Sequence, residues 1–160
     1  MGVSGCGKTS VGQALSDRCD VTFIDGDDLH PQANIDKMAG GQPLTDADRA
    51  PWLRSVGIAL RDTSGSVVIG CSALKRSYRD IIRKGADEQV AFLHLDAKET
   101  VLQARVAKRD AHFMPPDLLQ SQFDTLERLA PDELGTQIDI AKPFADVVGQ
   151  SERYIKEMTI

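Results

Sequence analysis

The 160 residues predict a single α/β domain, 1–160, in which a parallel sheet is covered on both faces by helices. Three observations carry that expectation. Short β-branched or apolar runs alternate with longer stretches of helical periodicity. A glycine-rich turn opens the chain directly ahead of the first helical stretch. No repeat, low-complexity segment or linker divides the chain, and 17.4 kDa suits one core.

Taken in order, the spacing predicts a first helix over 8–17, following the glycines, and then a strand at Val21-Thr-Phe-Ile24. A short helix is expected over 32–39 and a longer one over 51–62. Pro51 is placed in the first turn of that longer helix, although Thr45 with Asp48 also resembles a capping box. Ser66-Val-Val-Ile-Gly70 reads as a buried strand, followed by a helix over 75–84. The run Val90-Ala-Phe-Leu-His-Leu95 reads as the next strand, followed by helices over 98–109 and 117–127 that Pro115-Pro116 separates. A less regular strand at Gln137-Ile-Asp-Ile140 and a helix over 144–158 complete the chain.

Composition narrows the function classes. Hydrophobic residues make up 41% and charged residues 27%, and no apolar run approaches the roughly 20 residues of a bilayer span, so no membrane partner is expected. A net charge of -5 argues against nucleic acid as the main partner. Cys6, Cys19 and Cys71, with no basic-then-apolar leader, read as free thiols of a cytoplasmic protein.

Gly2-Val-Ser-Gly-Cys-Gly-Lys-Thr9 satisfies G-x-x-x-x-G-K-[ST], a pattern whose backbone amides converge on phosphate oxygens. Gly2, Val3, Ser4, Gly5, Cys6, Gly7, Lys8 and Thr9 are therefore the candidate nucleotide-binding residues. Lys8 is expected to reach the β and γ phosphates. Thr9 is expected to ligate Mg²⁺, with the following helix directing its positive dipole end at the nucleotide. Such a loop normally follows a buried strand, yet only Met1 precedes Gly2. Either the start lies upstream or the sheet lacks a central member; Met1, an apolar residue of the kind that ends such a strand, favours the first.

Asp25-Gly-Asp-Asp-Leu-His-Pro31 follows the strand at 21–24, and strand ends are where open α/β sheets bind ligands. One of Asp25 and Asp27 can serve the metal and the other can accept a proton from an attacking hydroxyl. His30 is a candidate donor to a hydroxyl or carboxylate.

These blocks, with Asn34-Ile-Asp-Lys-Met38, Gly41-Gln-Pro-Leu-Thr-Asp-Ala-Asp-Arg-Ala-Pro-Trp-Leu53, Cys71-Ser-Ala-Leu-Lys-Arg-Ser-Tyr-Arg-Asp80 and Ser121-Gln-Phe-Asp-Thr-Leu-Glu127, resemble the gluconokinases, small ATP-dependent gluconate kinases. The resemblance runs from Gly2 to about Ile155. It implies a P-loop kinase three-layer sandwich with a five-stranded parallel sheet and a helical lid at about 105–127. The first strand before the loop is the member missing here. It also implies transfer of the ATP γ-phosphoryl group to the C6 hydroxyl of D-gluconate with Mg²⁺, and a homodimer. Asp27 would then orient or deprotonate the hydroxyl and Asp25 would support the metal. The resemblance places Lys75, Tyr78 and Arg79 by the substrate, with Arg49 as a further carboxylate or phosphate ligand and His112 as another gluconate contact. Pro143 marks the loop where related kinases seat adenine.

Charge spacing supports part of this. From Lys75 to Lys84 the chain carries five cations and one acid, and Arg79 lies one turn from Lys75. Arg105 and Arg109, four apart, share a helical face suited to closing over polyphosphate. Where the family has Gly before the His-Phe pair, this chain has Ala111, which narrows the backbone choices of the lid. Trp52 reads as a core anchor, as do Phe123 and Leu126. Cys6 stands where the family commonly has Ser, and an exposed thiol beside Lys8 is expected to oxidise. The alternatives are a related kinase acting on another small hydroxy acid such as shikimate, and a nucleotide-binding protein without catalysis.

Overall fold

The computed structural model describes residues 1–107 and 116–158. Its elements run α1 (Lys8–Arg18), β1 (Val21–Asp25), a 3₁₀ turn (Gly26–Leu29), α2 (Gln32–Ala39), α3 (Asp46–Asp62), β2 (Ser66–Gly70), α4 (Arg76–Ala86), β3 (Phe92–Asp96), α5 (Glu99–Ala107), α6 (Pro116–Thr125), β4 (Gly135–Asp139) and α7 (Phe144–Met158). The alternation expected from periodicity is present, with boundaries shifted by a few residues. At α3 the shift has a clear cause. Thr45 Oγ1 accepts from the Asp48 amide at 3.2 Å, and the Thr45 amide donates to Asp48 Oδ2 at 2.7 Å. This complete capping box starts the helix at Asp46, ahead of Pro51, which lies inside the helix rather than in its first turn.

Strands β1 and β2 pair in parallel, as do β3 and β4. Among the described residues these form two separate two-stranded sheets, not the five-stranded sheet that the resemblance implied. Met1 lies between them: its amine donates to Leu93 O at 2.6 Å, and Leu95 N donates to Met1 O at 2.9 Å.

Alternation along β3 sends neighbouring side chains to opposite faces. Leu95 joins a core built from Val11 and Leu15 of α1, Leu102 of α5, Leu119 of α6 and Val147 and Val148 of α7. Phe92 joins a second core with Trp52, Leu53 and Val56 of α3 and Tyr78 and Ile82 of α4. The result is a three-layer α/β/α arrangement, with strand C-termini, phosphate loop and capped start of α3 gathered at one end. Phe123 and Leu126 pack against these cores as expected. Among the described residues no helix is long and apolar enough to cross a membrane.

Candidate functional site

The turn over residues 2–9 doubles back ahead of α1. Gly5 and Gly7 take φ of 80° and 93°, a left-handed backbone that side chains with a Cβ resist. Gly7 is the N-cap of α1, so the free amides of that helix's first turn face the loop. Lys8 Nζ donates to the carbonyls of Gly2 at 3.0 Å and Val3 at 3.2 Å, crossing the loop. Cys6 is only 1% exposed, which corrects the expectation of an exposed, oxidisable thiol; its side chain fills core behind the loop.

Thr9 Oγ1 donates to Asp25 Oδ2 at 3.0 Å, joining the start of α1 to the end of β1. The other oxygen of Asp25 accepts from the Asp27 amide at 3.1 Å, which tightens the 3₁₀ turn. Asp27 has its pKa raised, first by burial and then by the charge of Asp25, against a smaller opposing pull from Lys8. A carboxylate shifted this way is a better proton acceptor than an ordinary aspartate. Trp52 holds the same turn, donating from Nε1 to Gly26 O at 2.7 Å, and stacks on His30 with centroids 4.0 Å apart. Trp52 is thus the core anchor expected, 4% exposed, and also a support for the site. The Asn34 amide nitrogen lies 3.2 Å from His30 Nδ1 and also donates to Asp48 O. An amide donor there makes Nδ1 the acceptor, and so Nε2 carries the proton. Burial lowers the His30 pKa, which favours this neutral form.

The second cluster joins α3 to α4. Lys75 Nζ donates to Asp46 Oδ2 at 2.7 Å, the Tyr78 hydroxyl donates to Asp46 Oδ1, and Arg49 Nη1 lies 3.8 Å from the same carboxylate. Lys75 Nζ and Arg49 Cζ stand 5.3 Å and 5.8 Å from the Tyr78 ring centre. Arg49 also donates to Leu44 O at 2.6 Å. Arg49, distant in sequence from Lys75 and Tyr78, therefore meets them at one place. Arg49 also contributes to lowering the pKa of His30, which links this cluster to the Asp27 turn.

Arg79 does not join them. It is fully buried, forms a two-pronged pair with Glu133 at 2.7 Å for both bonds, and donates to Ala73 O and Glu127 O. Every face of its guanidinium is used by the protein, so its expected place by the substrate is corrected to an internal strut. Helical spacing put Arg79 on the Lys75 side; the acid that turns it inward lies 54 residues away. Arg76 pairs with Asp132 and Arg83 with Glu133, so acids elsewhere balance much of the basic helix.

Arg105 Nη2 donates to Ile140 O at 2.5 Å and lines a cavity of about 360 Å³ beside the loop, with Gly5, Gly7, Lys142 and Phe144. Pro143 sits between the last two, its carbonyl accepting from the Asp146 and Val147 amides at the start of α7. Arg109, His112 and Ala111 lie outside the described residues.

Four contributors carried no assigned role in the sequence reading. Asp46 appeared only inside the Gly41–Leu53 block, with no role of its own. Gln122 Oε1 accepts from the Ser4 amide at 2.6 Å, tying α6 to the phosphate loop, and nothing in its local pattern signals that contact. Lys142 and Phe144 flank the Pro143 that was chosen; Phe144, 53% exposed next to a cavity, is the aromatic that the pattern around the last strand could have offered.

The pair Thr9 and Asp25 presents hard oxygen donors, a set that suits Mg²⁺. Among the described residues no group of three or more His, Cys, Asp or Glu can hold a metal. A cation here would take its remaining ligands from phosphate oxygens and water, as Mg²⁺ commonly does.

A family model described as an AAA domain matches residues 1–131. The thermosensitive gluconokinase of Escherichia coli (strain K12) is 46% identical over 161 aligned residues, covering 97% of this chain and 84% of the relative. The gluconokinase of Gluconobacter oxydans (strain 621H) is 50% identical, covering 83% of this chain and 76% of the relative. Among solved structures, a gluconokinase from Sinorhizobium meliloti 1021 superposes with a TM-score of 0.85 at 46% identity, over 99% of this chain and 90% of that one.

Proposed function

The chain belongs to the gluconokinase family, and we propose that it transfers the γ-phosphoryl group of ATP to the C6 hydroxyl of D-gluconate, giving 6-phosphogluconate. The observation that carries this reading is the Thr9–Asp25 bond, which sets the loop hydroxyl against a strand-end carboxylate one turn from Asp27.

The amides of Gly2, Val3, Ser4, Gly5, Cys6, Gly7, Lys8 and Thr9 form the phosphate cradle, and Lys8 leaves its loop carbonyls to meet the β and γ phosphates. Thr9 and Asp25 hold Mg²⁺, which when bound neutralises charge on the phosphates. Arg105 closes the side of the loop, Arg109 is assigned the same work from its spacing, and Lys142, Pro143 and Phe144 border the base. Gluconate presents its carboxylate to Lys75, Arg49 and Tyr78, and its hydroxyls to His30 Nε2–H; His112 remains a further contact by resemblance alone. Asp27 accepts the proton of the C6 hydroxyl as the new O–P bond forms and the bond to the ADP leaving oxygen breaks. Transfer of this kind depends on positioning and charge more than on covalent catalysis, which matches a site of fixed cations and one shifted carboxylate.

Three free cysteines, two of them buried, agree with a reducing compartment. We assign the enzyme to the cytoplasm on that ground, and a homodimeric state on family resemblance. The deciding assay couples ADP release by the purified chain to a panel of sugar acids and shikimate. ADP release that depends on gluconate and yields 6-phosphogluconate is expected; equal release without any acid, or with shikimate alone, overturns the assignment.

A further inference from the structure

Residues 71–75 carry the chain from the end of β2 to the start of α4, where Lys75 is the N-cap. Within this segment Ala73 takes φ of 44°, a left-handed backbone that a residue with a Cβ keeps only when its surroundings impose it. Arg79 Nη1 supplies part of that constraint, donating to Ala73 O at 3.2 Å and to Leu74 O at 3.4 Å. A lysine at the N-cap offers no side-chain acceptor and the first turn of α4 carries no acid, so the helix has no cap of its own.

Glu127, 51 residues beyond Arg76 and just past the end of α6, completes the hold. Its Oε2 accepts from the Arg76 amide at 2.6 Å, its own amide donates to Leu74 O at 2.8 Å, and its carbonyl accepts from Arg79 Nη1 at 3.0 Å. The first of these bonds acts on the acid subsite. Arg76 N and Lys75 O belong to one rigid peptide unit, and Lys75 O already accepts from the Tyr78 and Arg79 amides at 3.1 Å and 3.2 Å. Glu127 fixes the opposite edge of that plane, which sets the direction in which the Lys75 side chain leaves the backbone. From there Lys75 and Tyr78 both reach Asp46. An acidic side chain in this place also suits the positive end of the α4 dipole.

We propose that Glu127 is a positioning residue for the acid subsite: through the Arg76 amide it aims Lys75, and with it the donors that receive the substrate carboxylate, a role that rests on the gluconate reading of this cluster. What the Arg76 amide needs is an acceptor oxygen, so a neutral amide side chain of the same length does the same work. The three bonds of Glu127 end on Leu74, Arg76 and Arg79, which leaves ATP affinity to the phosphate loop.

Glu127→Ala and Glu127→Gln are compared with the parent chain in steady-state kinetics and in chemical labelling of Lys75. Glu127→Ala is expected to raise KM for gluconate about tenfold, the size of one lost hydrogen bond to a charged group, with kcat and KM for ATP close to the parent values. Glu127→Gln is expected to return KM for gluconate most of the way. Equal rises in both Michaelis constants, an unchanged KM for gluconate, or a glutamine variant no better than the alanine one overturns the proposal. Labelling gives a readout that needs no substrate. Lys75 Nζ is held by Asp46, and that bond is the first cause of its raised pKa, so acetic anhydride acylates it slowly. Faster acylation of Lys75 in Glu127→Ala, mapped by mass spectrometry, is expected; an unchanged rate refutes the role of Glu127. A parent chain that leaves gluconate unphosphorylated strikes the substrate assignment alone, and the labelling still decides the positioning. Should the alanine variant fail to fold, both measurements are made on Glu127→Asp, which draws the carboxylate back by a methylene and is expected to change KM and labelling in the same directions.

Discussion

Asp27 owes its raised pKa first to burial and then to the Asp25 charge, and both persist in any variant that keeps the turn intact. Asp27→Asn retains the fold of the turn because the bond to Asp25 comes from the backbone amide. Turnover is expected to fall by about 10² to 10⁴ while ATP affinity changes little, read from kcat and from nucleotide binding separately. The sign of the shift sets the pH profile. The base is lost as pH falls through a value above the ordinary aspartate 3.8, so the acid limb of kcat should lie higher than that. Arg79 carries the opposite lesson. Arg79→Ala leaves Glu133 buried without its main partner, and a loss of about 3–5 kcal/mol is expected in chemical denaturation. Arg79 had looked like a substrate ligand because local spacing reports the face of a helix, not which distant acid claims the side chain. The meeting of Thr9 with Asp25 could be anticipated because a local motif places the one and a strand end places the other.

Helices α3 and α4 carry Asp46 and Arg49 on one side of the second cluster and Lys75 and Tyr78 on the other, so their crossing sets its geometry. The crossing is close because Gly57 and Gly85 meet there. A Cβ on Gly57 would stand 2.3 Å from Ile82 O and 2.8 Å from Ala86 N, both backbone atoms that cannot swing aside. Gly57→Ala should cost about 1–3 kcal/mol and, by wedging the helices apart, raise KM for gluconate more than KM for ATP. Equal changes in both constants would remove the link between this crossing and the acid subsite. Helix boundaries show a related limit of sequence reading. The choice between Thr45 and Pro51 as the start of α3 was visible in the residues. It was decided by reciprocal hydrogen bonds that only a folded turn can make.

At the scale of the whole molecule, one group among the described residues stands out, His94 in β3. Its side chain is buried with neither ring nitrogen hydrogen-bonded, and Asp96 Oδ1 lies 3.9 Å from Nε2. Burial outweighs the pull of Asp96, and the Met1 amine, Arg128 and Arg79 add to it, holding the His94 pKa down to about 4. The unfolded chain takes up this proton near 6.5 and the folded one near 4, so stability is expected to fall as pH drops between those values. Urea midpoints of the parent and of His94→Leu should diverge in that window, with the variant losing less. Parallel curves would show that another group governs the acid response. The Met1 amine acts with the same sign at higher pH, which is why the comparison is between variant and parent. Taken alone, the sequence determined the alternation of strands and helices, the phosphate loop and the carboxylates at the end of β1, because each is written within a turn or two of chain where local sterics and periodicity rule. Tertiary structure alone decided the gathering of Lys75, Tyr78 and Arg49 around Asp46, the inward turn of Arg79 and the hold of Gln122 on Ser4. Those depend on which distant surfaces are pressed together, and burial and pairing across such contacts leave no periodic trace in the chain.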